Sequence, residues 1–174
     1  MTSEELKSFI RDVPDFPKPG ILFKDITPLL RSAEALKATC ALLAEPFRDQ
    51  GVSLVAGIES RGFIFGSIVA QNLGAGFVPI RKPGKLPWTT RRHEYVLEYG
   101  SDALEIHDDA LSPTDRVLVI DDVLATGGTL AAATHLVRGF EATLVGAAVV
   151  IELGFLGGRE KLGSNVRLHS VLGY

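Results

Sequence analysis

The stretch "VIDDVLATGGT", Val119–Thr129, joins two chemistries that ordinarily repel. Its second half, Ala125-Thr126-Gly127-Gly128-Thr129, suits an anion. Consecutive glycines permit close backbone approach, and Thr126 and Thr129 add hydroxyls. The Leu/Ala-rich run behind them starts a helix whose first N–H groups lack partners. Its first half is an apolar run ending in two carboxylates, Asp121 and Asp122. An isolated acid pair there reads as a solvated strand end. The five residues that follow change that reading, because carboxylates are acceptor-only and can hold the paired hydroxyls of a sugar. One ligand satisfies both halves: a ribose 5-phosphate unit, phosphate in Ala125–Thr129 and diol toward Asp121 and Asp122. The acids gain a second use if positive charge develops on the sugar ring.

Two familiar nucleotide sites do not fit. An apolar strand ending in an acid also holds magnesium in P-loop NTPases, but that site needs G-x-x-x-x-G-K-[ST]. The nearest fragment, Pro83-Gly84-Lys85-Leu86, lacks both spacing and hydroxyl. A dinucleotide G-x-G-x-x-G is absent as well, since Gly74-Ala75-Gly76 runs into Pro79 where the third glycine belongs.

Outward from the motif, short apolar runs alternate with helix-like stretches. "VSLVAGI" leads through "ESRG" into "FIFGSIVAQNLG"; "GFVPIRK", "RVLVI" and "ATLVGAAVVIEL" are further strand candidates. β-Branched runs alternating with helices predict an α/β domain, a mostly parallel twisted sheet covered on both faces, with ligands at the carboxyl ends of its strands. Residues 1–174 are expected to form one domain. Thr2 and Glu5 can make a capping box for a helix to about Arg11, and Ser32 can cap a long helix through Gln50. "VPDFPKPG" (Val13–Gly20) reads as a loop stiffened by three prolines. "KPGKLPWTTRRHEYVLEYG" (Lys82–Gly100) reads as a strand-poor, lid-like insertion, with enough alternation in "HEYVLEYG" for part of a hairpin.

Composition excludes other classes. The chain has 174 residues, 46% hydrophobic and 22% charged, with net charge −3. No broad basic surface is indicated, so neither nucleic acid nor membrane is an expected partner. No apolar run approaches the roughly 20 residues of a membrane span. The acidic N-terminus does not read as a signal peptide. Cys40 has no partner for an internal disulfide and sits in an apolar helix-like run, the pattern of a buried structural thiol. A cytoplasmic globular protein is the expected class. His93 and His107 lack metal-ligand spacing and read as surface residues.

The strand, acid pair and A-T-G-G-T resemble the phosphoribosyl-diphosphate signature of type I phosphoribosyltransferases. The resemblance implies the corresponding α/β fold, transfer of ribose 5-phosphate to a nitrogen base with release of pyrophosphate, and Mg2+ as cofactor. It also demands a second anion site. "AGIESRGFIFG" (Ala56–Gly66) qualifies as strand, tight turn and helix, with Glu59, Ser60, Arg61 and Gly62 at the turn. Within it, Glu59 can instead orient the turn or reach the metal. Arg81, Lys82 and Lys85 add positive charge where the long insertion begins. Direct protein ligation of Mg2+ is not expected beyond Asp121 or Asp122, the substrate holding most of it.

The resemblance narrows further. "DFPKPGILFKDITPLL", "GIESRGFIFG", "RKPGKLP", "LEYG" and "DDVLATGGT" follow the order and approximate spacing of the adenine-specific members. That similarity implies an adenine pocket in the N-terminal segment at Phe16, Leu22 and Lys24, with Phe23 as an anchor. Lys24 stands where some relatives carry arginine, which matters little if the main chain makes that contact. The similarity further implies that Glu98 shares a proton with the purine imidazole nitrogen and that Tyr99 lies close by. With Arg61, Asp121 and Asp122, Glu98 completes the implied catalytic group. The 5-phosphate is implied to lie on Ala125, Thr126, Gly127, Gly128 and Thr129. Adenine, phosphoribosyl diphosphate and a second copy of the chain are the implied partners.

Two rivals remain. A 6-oxopurine enzyme commonly carries a lysine after the acid motif, where this chain has Val149, Val150 and Ile151. A regulatory binding protein that lost catalysis would keep the phosphate motif, sometimes with an added DNA-binding module, of which there is no sign here.

Overall fold

The computed structural model describes residues 1–97 and 100–174. The chain opens with α1 (Ser3–Lys7), which carries the expected capping box: Thr2 accepts from the Glu5 N–H, and Glu5 reaches back to the Thr2 N–H at 2.7 Å. The helix stops short of Arg11 because Arg11–Val13 is a strand, β1, paired antiparallel with β2 (Phe23–Asp25) around the proline-rich loop. After α2 (Thr27–Arg31), Ser32 caps α3 (Ala33–Ala44) through its hydroxyl. The α-helix ends before Gln50, since Pro46 cannot donate to the helical ladder; a 3-10 turn carries the chain to Gly51, whose φ is +62°.

The α/β repeat follows. It comprises β3 (Leu54–Ile58), α4 (Gly62–Leu73) and β4 (Gly76–Ile80), then β5 (Thr90–Leu97) and β6 (Gly100–His107). The chain continues through β7 (Arg116–Leu124), α5 (Gly128–Arg138), β8 (Thr143–Glu152), α6 (Gly158–Leu162) and β9 (Leu168–Gly173). One five-stranded sheet runs in the order β4-β3-β7-β8-β9, every neighbouring pair parallel. The expected insertion at 82–100 is not strand-poor: Thr90–Leu97 pairs along its whole length with Gly100–His107. The polar, charged side chains of Thr90–Glu94 masked that strand.

Strict alternation splits the core in two. Val117 and Val119 face α5 and the β5-β6 hairpin, joining Ile58, Ile80, Leu104, Ile106 and Leu130. Leu118 and Ile120 face the other way, onto Phe65, Val69, Leu43 and Phe47 of the layer built by α3, α4 and the N-terminal segment. A strand segment buried on both faces must be apolar at every position, as β7 is from Val117 to Ile120. Removing one of these fully buried rings, as in Phe65→Ala, costs about 3–5 kcal/mol. Cys40 is fully buried and its thiol is pushed up to about 12 by desolvation, in keeping with a structural role. No helix among the described residues is long and apolar enough to cross a membrane.

Candidate active site

Strand order fixes where a ligand can enter. The connection from β3 goes outward to β4, whereas that from β7 goes the opposite way to β8. The loops leaving β3 and β7 therefore part company and open a crevice at the strands' carboxyl ends, the switch point of an open parallel sheet. A cleft of about 370 Å³ occupies it, lined by Glu59, Ser60, Arg61, Lys82 and residues 121–130. The Ala125–Thr129 loop, the acid pair and most of the Glu59–Gly62 turn, separated by some sixty positions in sequence, thus share one site.

The Ala125–Thr129 loop is shaped by two glycines. Gly127 has φ +84°, a conformation that side chains disfavour, and caps α5. Its α-carbon also faces α6: a β-carbon there would lie 2.5 Å from the Gly158 carbonyl oxygen. Gly128 and Thr129 form the first turn of α5, so their N–H groups and the helix dipole face the cleft. Ala125 and Thr126 complete the lining just ahead of the helix, both half-buried. All five residues of the A-T-G-G-T motif therefore border the cleft.

The acids are buried, Asp121 to 8% and Asp122 to 6% exposure. Desolvation, reinforced by the charge of Asp122, holds the Asp121 carboxyl well above the usual carboxylate range. Asp122 meets the Arg61 guanidinium directly, and its N–H donates to Asp121 Oδ1 at 2.9 Å. The contradiction in the sequence is thus eased locally: one acid is paired with arginine, and burial makes the other harder to ionise.

Glu59 holds the neighbouring turn in shape. Its carboxylate accepts from Arg81 Nε at 3.1 Å and from the Lys82 N–H at 3.0 Å. Burial opposes ionisation of Glu59, but these donors prevail and lower its pKa. Arg81 is turned to Glu59 and to the Lys85 carbonyl, and neither Arg81 nor Lys85 lines the cleft. Lys82 does, with its ammonium on Asp102 and 3.2 Å from the Tyr95 hydroxyl. Burial works against its charge, yet these two partners keep its pKa raised.

The expected base-pocket residues lie beside the cleft rather than in its lining. Phe16 and Leu22 are each half-exposed, with Phe16 edge-on to Phe23 at 5.1 Å. Arg61 stands 5.8 Å from the Phe23 ring and so links this segment to the cleft. The Lys24 amine points elsewhere, to Asp12 at 2.6 Å and over the Tyr174 ring. Glu98 and Tyr99 lie outside the described residues. Val149, Val150 and Ile151 are fully buried in β8. His93 and His107 are half-buried rather than on the surface, His93 stacked on His135 at 3.9 Å.

Sequence reading missed Tyr95 and Asp102, on the hairpin, and Lys161, on α6. Tyr95 is 9% exposed and its hydroxyl lies 3.2 Å from that of Thr129. Pairing register and the packing of α5 on β5 bring Tyr95 to the Ala125–Thr129 loop, and the packing of α6 on that loop brings Lys161. For a metal, the adjacent acids of the cleft are Asp121 and Asp122, since Glu59, which also lines it, is already engaged by Arg81 and Lys82; no cluster of three or more His, Cys, Asp or Glu side chains able to hold a metal exists among the described residues. Two carboxylates suit Mg2+, which keeps its waters and takes remaining ligands from substrate oxygens.

Residues 26–162 match the model of the phosphoribosyl transferase domain. The chain is 54% identical over 171 residues to the adenine phosphoribosyltransferase of Nitrosococcus oceani, covering 98% of this chain and 99% of that one. The crystal structure of the adenine phosphoribosyltransferase from Rhodothermus marinus superposes with a TM-score of 0.94 at 53% identity, over 99% and 98% of the two chains. That of the Saccharomyces cerevisiae protein, complexed with an imino-altritol bisphosphate and adenine, gives 0.92 at 41% identity, over 98% of each.

Proposed function

We infer that this chain, which belongs to the phosphoribosyl transferase family, catalyses adenine phosphoribosyl transfer: ribose 5-phosphate passes from phosphoribosyl diphosphate to adenine, giving AMP and pyrophosphate. The observation that carries it is the single cleft joining Ala125–Thr129 to Asp121, Asp122 and Arg61. Residues 1–174 act as one phosphoribosyltransferase domain in this reading.

The 5-phosphate binds the N–H groups of Ala125–Thr129 and the hydroxyls of Thr126 and Thr129. The ribose diol faces Asp121 and Asp122, and the diphosphate lies along Glu59–Gly62 within reach of Arg61 and Lys82. For Arg61 and Lys82 to engage it they exchange their carboxylate partners for phosphate oxygens. As the bond from the anomeric carbon to the departing diphosphate breaks, the ring gains positive charge, and the two acids stabilise it. Nitrogen of adenine then attacks the anomeric carbon. Glu98 takes part in proton transfer at the imidazole ring, and exclusion of water from the cleft keeps it from capturing the sugar. Asp121 or Asp122, with oxygens of the substrate, would hold Mg2+, which would supply charge neutralisation at the diphosphate. Phe16, Leu22 and the Lys24 main chain form the base pocket, with Tyr99 nearby; Arg81 and Lys85 supply charge to the diphosphate side, across the interface of a homodimer.

Incubation with phosphoribosyl diphosphate, Mg2+ and, separately, adenine, hypoxanthine, guanine and xanthine tests this reading. Pyrophosphate release is expected with adenine alone, and none with adenine overturns it. Sedimentation showing only monomer at assay concentration removes the dimer.

A further inference from the structure

The two cations that line the cleft among the described residues are already matched: Arg61 with Asp122, and Lys82 with Asp102. A 5-phosphate carries close to two negative charges near neutral pH. In the phosphate loop it would meet N–H groups and hydroxyls, with no cation contributed by the loop itself.

Helix α6 changes that balance. Its first residue, Gly158, is pressed onto the loop so tightly that a β-carbon would strike the Ala125 carbonyl oxygen. From the other side Arg159 grips Glu152 of β8, with Nε 2.8 Å from Oε1. Held at both points, α6 carries Lys161 to the start of α5. Lys161 Nζ comes within 3.7 Å of the position a β-carbon on Gly128 would occupy, and Tyr95 Cδ2 lies 3.4 Å from the same point. No described side chain offers this ammonium a hydrogen bond or ion pair.

A lone ammonium beside the N-terminal turn of an eleven-residue helix is poorly placed in electrostatic terms. That end of α5 already carries partial positive charge from its unpaired N–H groups. The juxtaposition becomes favourable when a dianion lies between them. We propose that Lys161 is a phosphate-binding residue, its ammonium contacting the 5-phosphate of phosphoribosyl diphosphate and of AMP. The proposal depends on Ala125–Thr129 being the 5-phosphate loop.

Ribose 5-phosphate and pyrophosphate, titrated separately by calorimetry, distinguish the two ends of the cleft. Wild type, Lys161→Met and Lys161→Arg are compared, with thermal unfolding of each ligand-free protein as the folding control. Lys161→Met is expected to weaken ribose 5-phosphate binding about 10-fold, the scale of one charge-assisted hydrogen bond partly open to solvent. Pyrophosphate affinity stays unchanged, and Lys161→Arg recovers most of the loss. Equal ribose 5-phosphate affinity in wild type and Lys161→Met overturns the proposal, as does an equal loss for both ligands. Wild type that binds pyrophosphate but not ribose 5-phosphate instead removes the loop reading, and the Lys161 contact with it.

Discussion

The hydroxyl of Tyr95, on the first strand of the hairpin, lies 3.2 Å from the hydroxyl of Thr129, in the first turn of α5. The same tyrosine oxygen is 3.2 Å from both Lys82 Nζ and Asp102 Oδ2. One phenol therefore ties together the proposed phosphate and diphosphate ends of the cleft. Tyr95→Phe keeps the ring packing and removes these bonds. KM for phosphoribosyl diphosphate is expected to rise several-fold, the equivalent of about 1 kcal/mol, with KM for adenine unchanged. Steady-state kinetics with each substrate varied in turn checks this.

Gly158→Ala forces α6 away from the phosphate loop, because the added methyl has no room against Ala125 and Leu124. A clash that neighbouring backbone must absorb costs about 1–3 kcal/mol. Both a lower melting temperature and weaker ribose 5-phosphate binding are expected. An alanine variant indistinguishable from wild type in both would mean that the loop does not depend on this contact.

Asp121 binds its proton more tightly in the folded protein than in the unfolded chain, through desolvation first and the Asp122 charge second. Stability from this group is therefore lost as pH rises above the usual carboxylate range toward its folded value. Asp121→Asn removes that loss. The variant is expected to melt above wild type at about pH 7.5 in the absence of ligand, with the gap closing below about pH 4, while transfer to adenine falls at least 10-fold. Glu59 runs the other way: its lowered pKa contributes stability above the ordinary glutamate range that disappears as acid is added. Melting curves across pH separate the two.

Glu98→Ala is expected to lower kcat by about 10²- to 10⁴-fold, the usual worth of a positioned proton-transfer group. Ribose 5-phosphate binding remains at the wild-type level. A ligand-sensing protein without catalysis would show no such loss, having no turnover to lose.

The parallel core was readable because burial on both faces leaves its strands almost uniformly apolar, as in "LVAGI" and "RVLVI". The acid pair and glycine-rich loop were readable because their chemistry is compact in sequence. What escaped notice depends on long-range placement. Thr90–Glu94 is polar because one side of that hairpin faces solvent, so its strand period was blurred. Tyr95 and Lys161 reach the Ala125–Thr129 loop from positions 34 residues before and 32 after Thr129, with nothing local to mark them. The short β1-β2 pair was hidden by the prolines between its strands.

At one margin of the main sheet, β4 contains Pro79. The Gly76 N–H donates to Ser53 and the Ile80 carbonyl accepts from Glu59, so these alternate residues point inward to β3. Pro79 therefore turns its ring nitrogen, which has no hydrogen to give, toward the open side. Two residues on, Arg81 spends both backbone groups on Glu105, at 2.9 and 2.7 Å. This border of the sheet thus offers a foreign strand almost no run of free donors, a built-in guard against strand-to-strand aggregation. Replacing Pro79 with valine would restore the missing donor and, with it, the hazard.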